Sequence, residues 1–88
     1  MKLINLTSPA FNFAELALLC EQADVLLLRQ DAVYLAGRND IHWPCNNILA
    51  LKSDLEVRQL TPIAGISAIS DAEWVELTAT ASQVMLWR

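Results

Sequence analysis

The run Val25-Leu26-Leu27-Leu28, closed by Asp24 on one side and Arg29 on the other, constrains this chain more than any other feature. Successive side chains of a strand point to opposite faces, so four aliphatic residues in a row leave no face for water. Such a run suits an interior strand of a parallel sheet, covered by helices on both sides. The flanking segments agree. Residues 2–7 read as a first strand that Ser8 and Pro9 stop. Residues 11–21 read as a helix, with Phe13, Leu16, Ala17 and Cys20 at helical spacing on one face. Leu18 and Leu19 widen that face beyond what one sheet contact needs, which makes both of them candidates for a subunit interface.

The rest of the chain repeats the alternation. Asp31 stands where the second strand gives way to Ala32-Val-Tyr-Leu35, and a carboxylate there is expected to cap a short helix. Residues 37–47 are turn-rich and polar, and residues 48–51 form a short third strand. Residues 53–60 follow as a helix, with Ser53 as N-cap and Glu56 at capping-box spacing. Ile66–Ile69 is a fourth strand. Ser70 or Asp71 caps a last helix over residues 72–81, where Trp74 is a further interface candidate, and Gln83–Trp87 closes as a fifth strand. Strands alternating with helices imply β-α-β units. The expected fold is therefore α/β: one small three-layer domain over residues 1–88, with a mainly parallel sheet of four to five strands and helices on both faces.

Composition then raises a question of where the apolar surface goes. Apolar residues make up 55% of the 88 and charged residues 18%, with a mean hydropathy of +0.33; typical domains run at about 45–50% and about 25%. A domain this small hides only about two thirds of its unfolded surface. No segment approaches the roughly 18 uninterrupted apolar residues of a membrane span, and Met1-Lys2 leads into no signal-like apolar stretch. A large protein–protein interface is the remaining outlet. The net charge of −4, with six scattered bases, argues against direct nucleic-acid binding.

Catalytic motifs are scarce. Gly37 and Gly65 are the only glycines, so there is no phosphate-cradling loop, and His42 is the only histidine, so no hydrolase triad can be argued. Cys20 and Cys45 stand in no metal-ligand spacing, and no cofactor or metal is called for. Without a signal segment the cytosol is the expected compartment, with both thiols reduced. Cys20 falls on the apolar helix face and reads as packing; Cys45, between Pro44 and Asn46, is expected to be the more exposed. Both are weak thiol candidates, since a reactive thiol needs a lowered pKa from nearby cations or a helix N-terminus.

Four segments in order give the chain a family likeness: Thr7-Ser8-Pro9; Asp24 through Leu28, Asp31 and Val33; Ala50-Leu51, Asp54-Leu55, Arg58 and Leu60; and Asp71, Trp74-Val75, Leu77-Thr78 with Ser82-Gln83 and Trp87. With these the sequence resembles the DsrH/TusB family, small α/β subunits of sulfur-relay complexes. The resemblance implies a dimer of heterotrimers with sister subunits of the TusC/DsrF and TusD/DsrE kinds. It implies passage of persulfide sulfur from an upstream to a downstream carrier, toward 2-thiolation of the wobble uridine of tRNA, with no nucleic acid or membrane bound directly. In that family the main sulfur-bearing cysteine belongs to the TusD/DsrE-type subunit. The branch from sulfur oxidisers carries a cysteine on the first helix; that position corresponds to Leu16 here, with Cys20 one turn later, so no catalytic residue is carried over. The segment between Gly37 and Asn47 is also shorter than the family pattern, which implies a trimmed helix after the second strand. Three alternatives stay open: a sulfurtransferase subunit acting through Cys45 or Cys20, a self-associating binding module unrelated to sulfur, and a DsrH-type subunit of sulfur oxidation.

Overall fold

The computed structural model describes residues 1–8, 13–38, 41–45, 47–63 and 65–87, the side chains of Phe13 and Trp87 excepted. Strands β1 (Lys2–Leu6), β2 (Val25–Leu28), β3 (Asn47–Leu51), β4 (Ile66–Ile69) and β5 (Gln83–Trp87) form one sheet in the order β4-β3-β2-β1-β5. Every neighbouring pair is parallel. The greasy run is thus the middle strand, and all four of its residues are buried. Helices α1 (Phe13–Leu19), α2 (Lys52–Val57) and α3 (Asp71–Thr80), with a 3₁₀ helix over Gln30–Gly37, make the connections. The expected three-layer parallel α/β fold is what the chain adopts.

Pairing register sorts the side chains between the faces. One row crosses the sheet as Met85, Ile4, Leu26, Ile48 and Ile66. On that face Leu16 of α1, Ala32, Val33, Leu35 and Ala36 of the 3₁₀ helix, and Leu55 of α2 complete the larger core. The next row, on the opposite face, runs Leu86, Asn5, Leu27, Leu49 and Ser67. There a smaller core of Leu3, Val25, Leu27, Leu51 and Ile69 meets Trp74 and Leu77 of α3 and the following Ala81. A single ten-residue helix therefore covers the second face. Val84 and Leu86, on the β5 edge of that face, stay exposed.

Local chemistry explains most boundaries. Ser70 caps α3 in a capping box: its hydroxyl accepts from Glu73 N–H, and Glu73 accepts from Ser70 N–H. The capping expected of Ser53 is not made. Leu51 holds the N-cap position of α2 without a side-chain bond, and Ser53 Oγ instead donates to Asp71 at 3.0 Å. Because the strand passes straight into the helix, Ser53 already lies inside the first turn. The first helix is shorter than its periodicity predicts, ending at Leu19, while residues 11 and 12 and Pro9 lie outside the described residues. The trimmed connection expected after β2 is the eight-residue 3₁₀ helix.

The middle strand sets the stability. Leu26→Ala removes a fully buried side chain flanked by strands on both sides and should lower unfolding free energy by about 2–5 kcal/mol. Val57→Ala, at a residue 78% exposed, should stay within about 0.5 kcal/mol. Urea denaturation midpoints of the two variants check the contrast.

Candidate functional site

The two edges of the sheet carry different chemistry. At the amino edge, the connections entering β2 and β3 lie side by side, because Val25 is in register with Asn47. Cys20 closes α1, its N–H donating to Leu16 at 2.9 Å, and Cys45 stands two residues before β3. The fold brings these thiols, 25 positions apart, into one apolar cluster. Both are buried, Cys20 at 9% and Cys45 at 5% exposure. The exposure expected of Cys45 is therefore corrected: next to the paired strands β2 and β3, Cys45 packs into the larger core. Burial first, then the contact with Cys45 and the nearby Asp24, pushes the Cys20 thiol up to about 12. A thiol so disposed is protonated at neutral pH.

Asp24 anchors the same edge. It is 2% exposed; Oδ1 accepts from Lys2 N–H at 2.9 Å and Oδ2 from Glu21 N–H at 2.8 Å. The Lys2 ammonium lies 3.3 Å from Oδ2 and also donates to Leu19 O at 2.6 Å. Burial alone would raise the Asp24 pKa, but the Glu21 and Lys2 N–H groups and the Lys2 charge outweigh it and hold the carboxyl below its ordinary value. Lys2 is thus committed to Asp24 and to the end of α1.

At the carboxyl edge, residues from separate motifs converge. Arg58 Nη2 donates to Asp31 Oδ1 at 2.9 Å and Nε to the same oxygen at 3.3 Å, and Nη1 donates to Asp54 O at 3.3 Å. Asp54 Oδ2 accepts from Gln30 N–H at 2.9 Å, where Gln30 takes a left-handed φ of 51°. The cap expected of Asp31 is not made. Arg29 holds the N-cap position without a side-chain bond, and Asp54, reaching over from α2, satisfies the N–H at the start of the 3₁₀ helix. Asp31 serves Arg58 instead, and that hydrogen bond raises the guanidinium pKa further. Beside this cluster the Arg29 guanidinium lies 4.0 Å above the Trp74 ring, tying α3 to the end of β2. No spacing rule linked Arg58 to Asp31 or Arg29 to Trp74, since each pair joins different β-α units.

Of the interface candidates, Leu18 is 90% exposed, Leu19 is half-buried, and Trp74 is half-buried against the second core. Tyr34, Val57 and Val75 are further exposed apolar side chains. Among the described residues no group of three or more His, Cys, Asp and Glu could hold a metal ion, and no helix is long and apolar enough to cross a membrane.

Comparison with known proteins agrees with this architecture. A parallel sheet in this order, with the family-pattern residue Arg58 reaching both Asp31 and Asp54, is a small α/β fold of the DsrEFH-like kind. The family model described as "DsrH like protein" matches residues 7–84, and the chain belongs to that family, as its motifs implied. Membership carries a role in sulfur relay. The crystal structure of the YchN protein from E. coli superposes with a TM-score of 0.70 over 98% of each chain. At 18% identity that likeness concerns the fold. No curated protein matches the chain.

The Asp24 anchor has a pH signature. A depressed carboxyl pKa contributes stability that is present above the unfolded value of about 4 and is lost as pH falls through the folded value. Asp24→Asn should cost about 1–3 kcal/mol at neutral pH. The gap to the wild type should close at acid pH, as the native carboxyl itself protonates. Thermal melts of both proteins between neutral and acid pH measure it.

Proposed function

We propose that this chain is an accessory subunit of a sulfur-relay complex that passes persulfide sulfur toward 2-thiouridine at the wobble position of tRNA. It does so together with sister subunits of the TusC/DsrF and TusD/DsrE kinds, in the cytosol. The observation that carries the reading is the burial of both thiols in a chain of the DsrH-like family. A persulfide in transit must be reached by its donor and then by its acceptor. Thiols at 9% and 5% exposure, one of them pushed up to about 12, suit neither encounter. The carrier thiol then belongs to a sister subunit, and this chain contributes surface. Exposed Leu18, Val57 and Val75 support that role, since apolar side chains left in water by a small domain suit subunit contacts.

The tRNA branch is favoured over sulfur oxidation by position 16. There the oxidiser branch has its first-helix cysteine, and this chain has a leucine with 0% exposure inside the larger core. The net charge of −4 fits a subunit that hands sulfur on without binding RNA.

Co-expression with the two sister subunits should yield one stable complex by native mass spectrometry. Leu18→Glu should abolish or strongly weaken co-purification while leaving the circular dichroism spectrum and melting temperature of the isolated chain unchanged. Full assembly of that variant would remove Leu18 from the interface. In cells, deletion of the gene should deplete 2-thiouridine from tRNA hydrolysates, and an undiminished level would count against the tRNA branch.

A further inference from the structure

Strand β5 ends the sheet. It pairs with β1 on one side, and among the described residues nothing pairs with its other side. An edge strand presents a row of unpaired backbone N–H and C=O groups, and proteins that keep such an edge in water blunt it with charge, proline or a bulge. β5 has none of these. Gln83-Val-Met-Leu-Trp87 carries no charge and no proline, and its register against β1 runs unbroken over five residues. The opposite edge strand, β4, is four residues long and exposes only Ser67 and Ala68. On β5, by contrast, Val84 and Leu86 are 46% and 51% exposed. The open edge fixes the kind of occupant, because another strand is what satisfies such groups.

Charge narrows the choice of strand. The chain carries a net −4, so a copy of itself can approach only where carboxylates are out of the way. On α3, Glu73 and Glu76 line the groove above Leu49 and Ile69, on the β3–β4 side. Trp74, Val75, Thr78 and Ala79 form the opposite flank, which turns toward β1 and β5. The Thr78 hydroxyl is spent on Trp74 O at 2.9 Å. Asp71 accepts from Ser53 Oγ at 3.0 Å, on the side of α2. The surface from this flank to the open edge is therefore built of uncharged, mostly apolar side chains. A second copy meets no like charge there.

We propose that β5 pairs edge to edge with β5 of a second copy of this chain, antiparallel, about a two-fold axis at Met85. The pairing goes beyond the sulfur-relay reading and does not depend on it. A two-fold contact is self-complementary: the same patch serves both copies. Centring the axis on Met85 pairs all five residues of each strand. Opposed residues of an antiparallel pair point to the same face, so Val84 meets the partner's Leu86 and Leu86 meets the partner's Val84. Four half-exposed side chains then close into one apolar strip, with a flank of α3 on either side. Nine residues make up this surface, against about 20–30 per side of a standard interface. The contact is accordingly small, under about 1,200 Å² in total, and forms at micromolar concentrations and above.

The test uses the full-length chain alone, by sedimentation equilibrium and by hydrogen–deuterium exchange over a range of concentrations. The wild type should dimerise, and the β5 amides should gain protection as concentration rises while those of β4 do not. Leu86→Lys, which sets an ammonium into the strip, should raise the dimer dissociation constant about tenfold or more. Ser67→Lys, on the opposite edge strand, should leave it unchanged. Oxidation of a mixture of Val84→Cys and Leu86→Cys chains should join the two substituted positions, as read by peptide mapping. A chain still monomeric at about 1 mM, or a dimer whose protection lies on α1 or α2, would overturn the proposal. So would β5 protection that appears only when the sister subunits are added, which would give the edge to one of them. Exchange on the wild type decides the matter even if a variant fails to fold. A β5 dimer that forms while assembly with the sister subunits fails would sink the relay reading alone, and the converse result would sink the β5 pairing alone.

Discussion

Burial of β2 on four sides is the constraint from which the architecture follows. Its backbone pairs with β1 and β3, and its side chains divide alternately between the two cores. Leu26 and Leu28 face α1, the 3₁₀ helix and α2, while Val25 and Leu27 face α3. Each fully buried leucine removes enough apolar surface to contribute about 2–3 kcal/mol. A sheet arranged otherwise would have to wet part of this run. The middle position is also what turns the chain around. The first four strands step outward from β1, and α3 then carries the chain back over the second face to β5 beyond β1.

That return leaves the two faces unequal. Three helical segments cover one, and ten residues of α3 cover the other. Trp74 compensates in part, packing on the smaller core while its ring supports the Arg29 guanidinium at the end of β2. Near the far edge the cover runs out. Asn5 is buried between β2 and β5; its Nδ2 donates to Met85 O at 3.2 Å, while its Oδ1 finds no partner among the described residues. Val84 and Leu86 beside it remain in water. The surplus of apolar residues in the composition thus has a location as well as a magnitude.

The placement of charge and thiol follows from the same topology. Parallel strands gather every β-to-α turn at one edge and every return at the other. The carboxyl edge, where open α/β sheets usually bind ligands, is here closed by Arg58 with Asp31 and Asp54 and by Arg29 on Trp74. The thiols lie at the amino edge, buried and held by a lysine–aspartate anchor. These ionic pairs hold the fold, and apolar side chains such as Leu18, Val57 and Val75 stay exposed on the helices.

Much of this was legible in the residues. The aliphatic run dictated an interior parallel strand because period-2 geometry leaves it no wet face. Strands β2, β4 and β5 and a cap at Ser70 or Asp71 for the last helix were readable because each depends on neighbours within a few positions. The family motifs were equally plain as strings. What they do was not, because Asp31, Asp54 and Arg58 meet across two β-α units, and a capping carboxylate looks the same in sequence as an ion-pairing one. The same limit applied to the cysteines. Local context put Cys45 in a polar, turn-rich stretch and predicted exposure, whereas the fold buries it in the same core as Cys20. Local propensity and hydrophobic period determined which segments became strands and helices. Only the long-range parallel pairing decided which distant side chains would share a site.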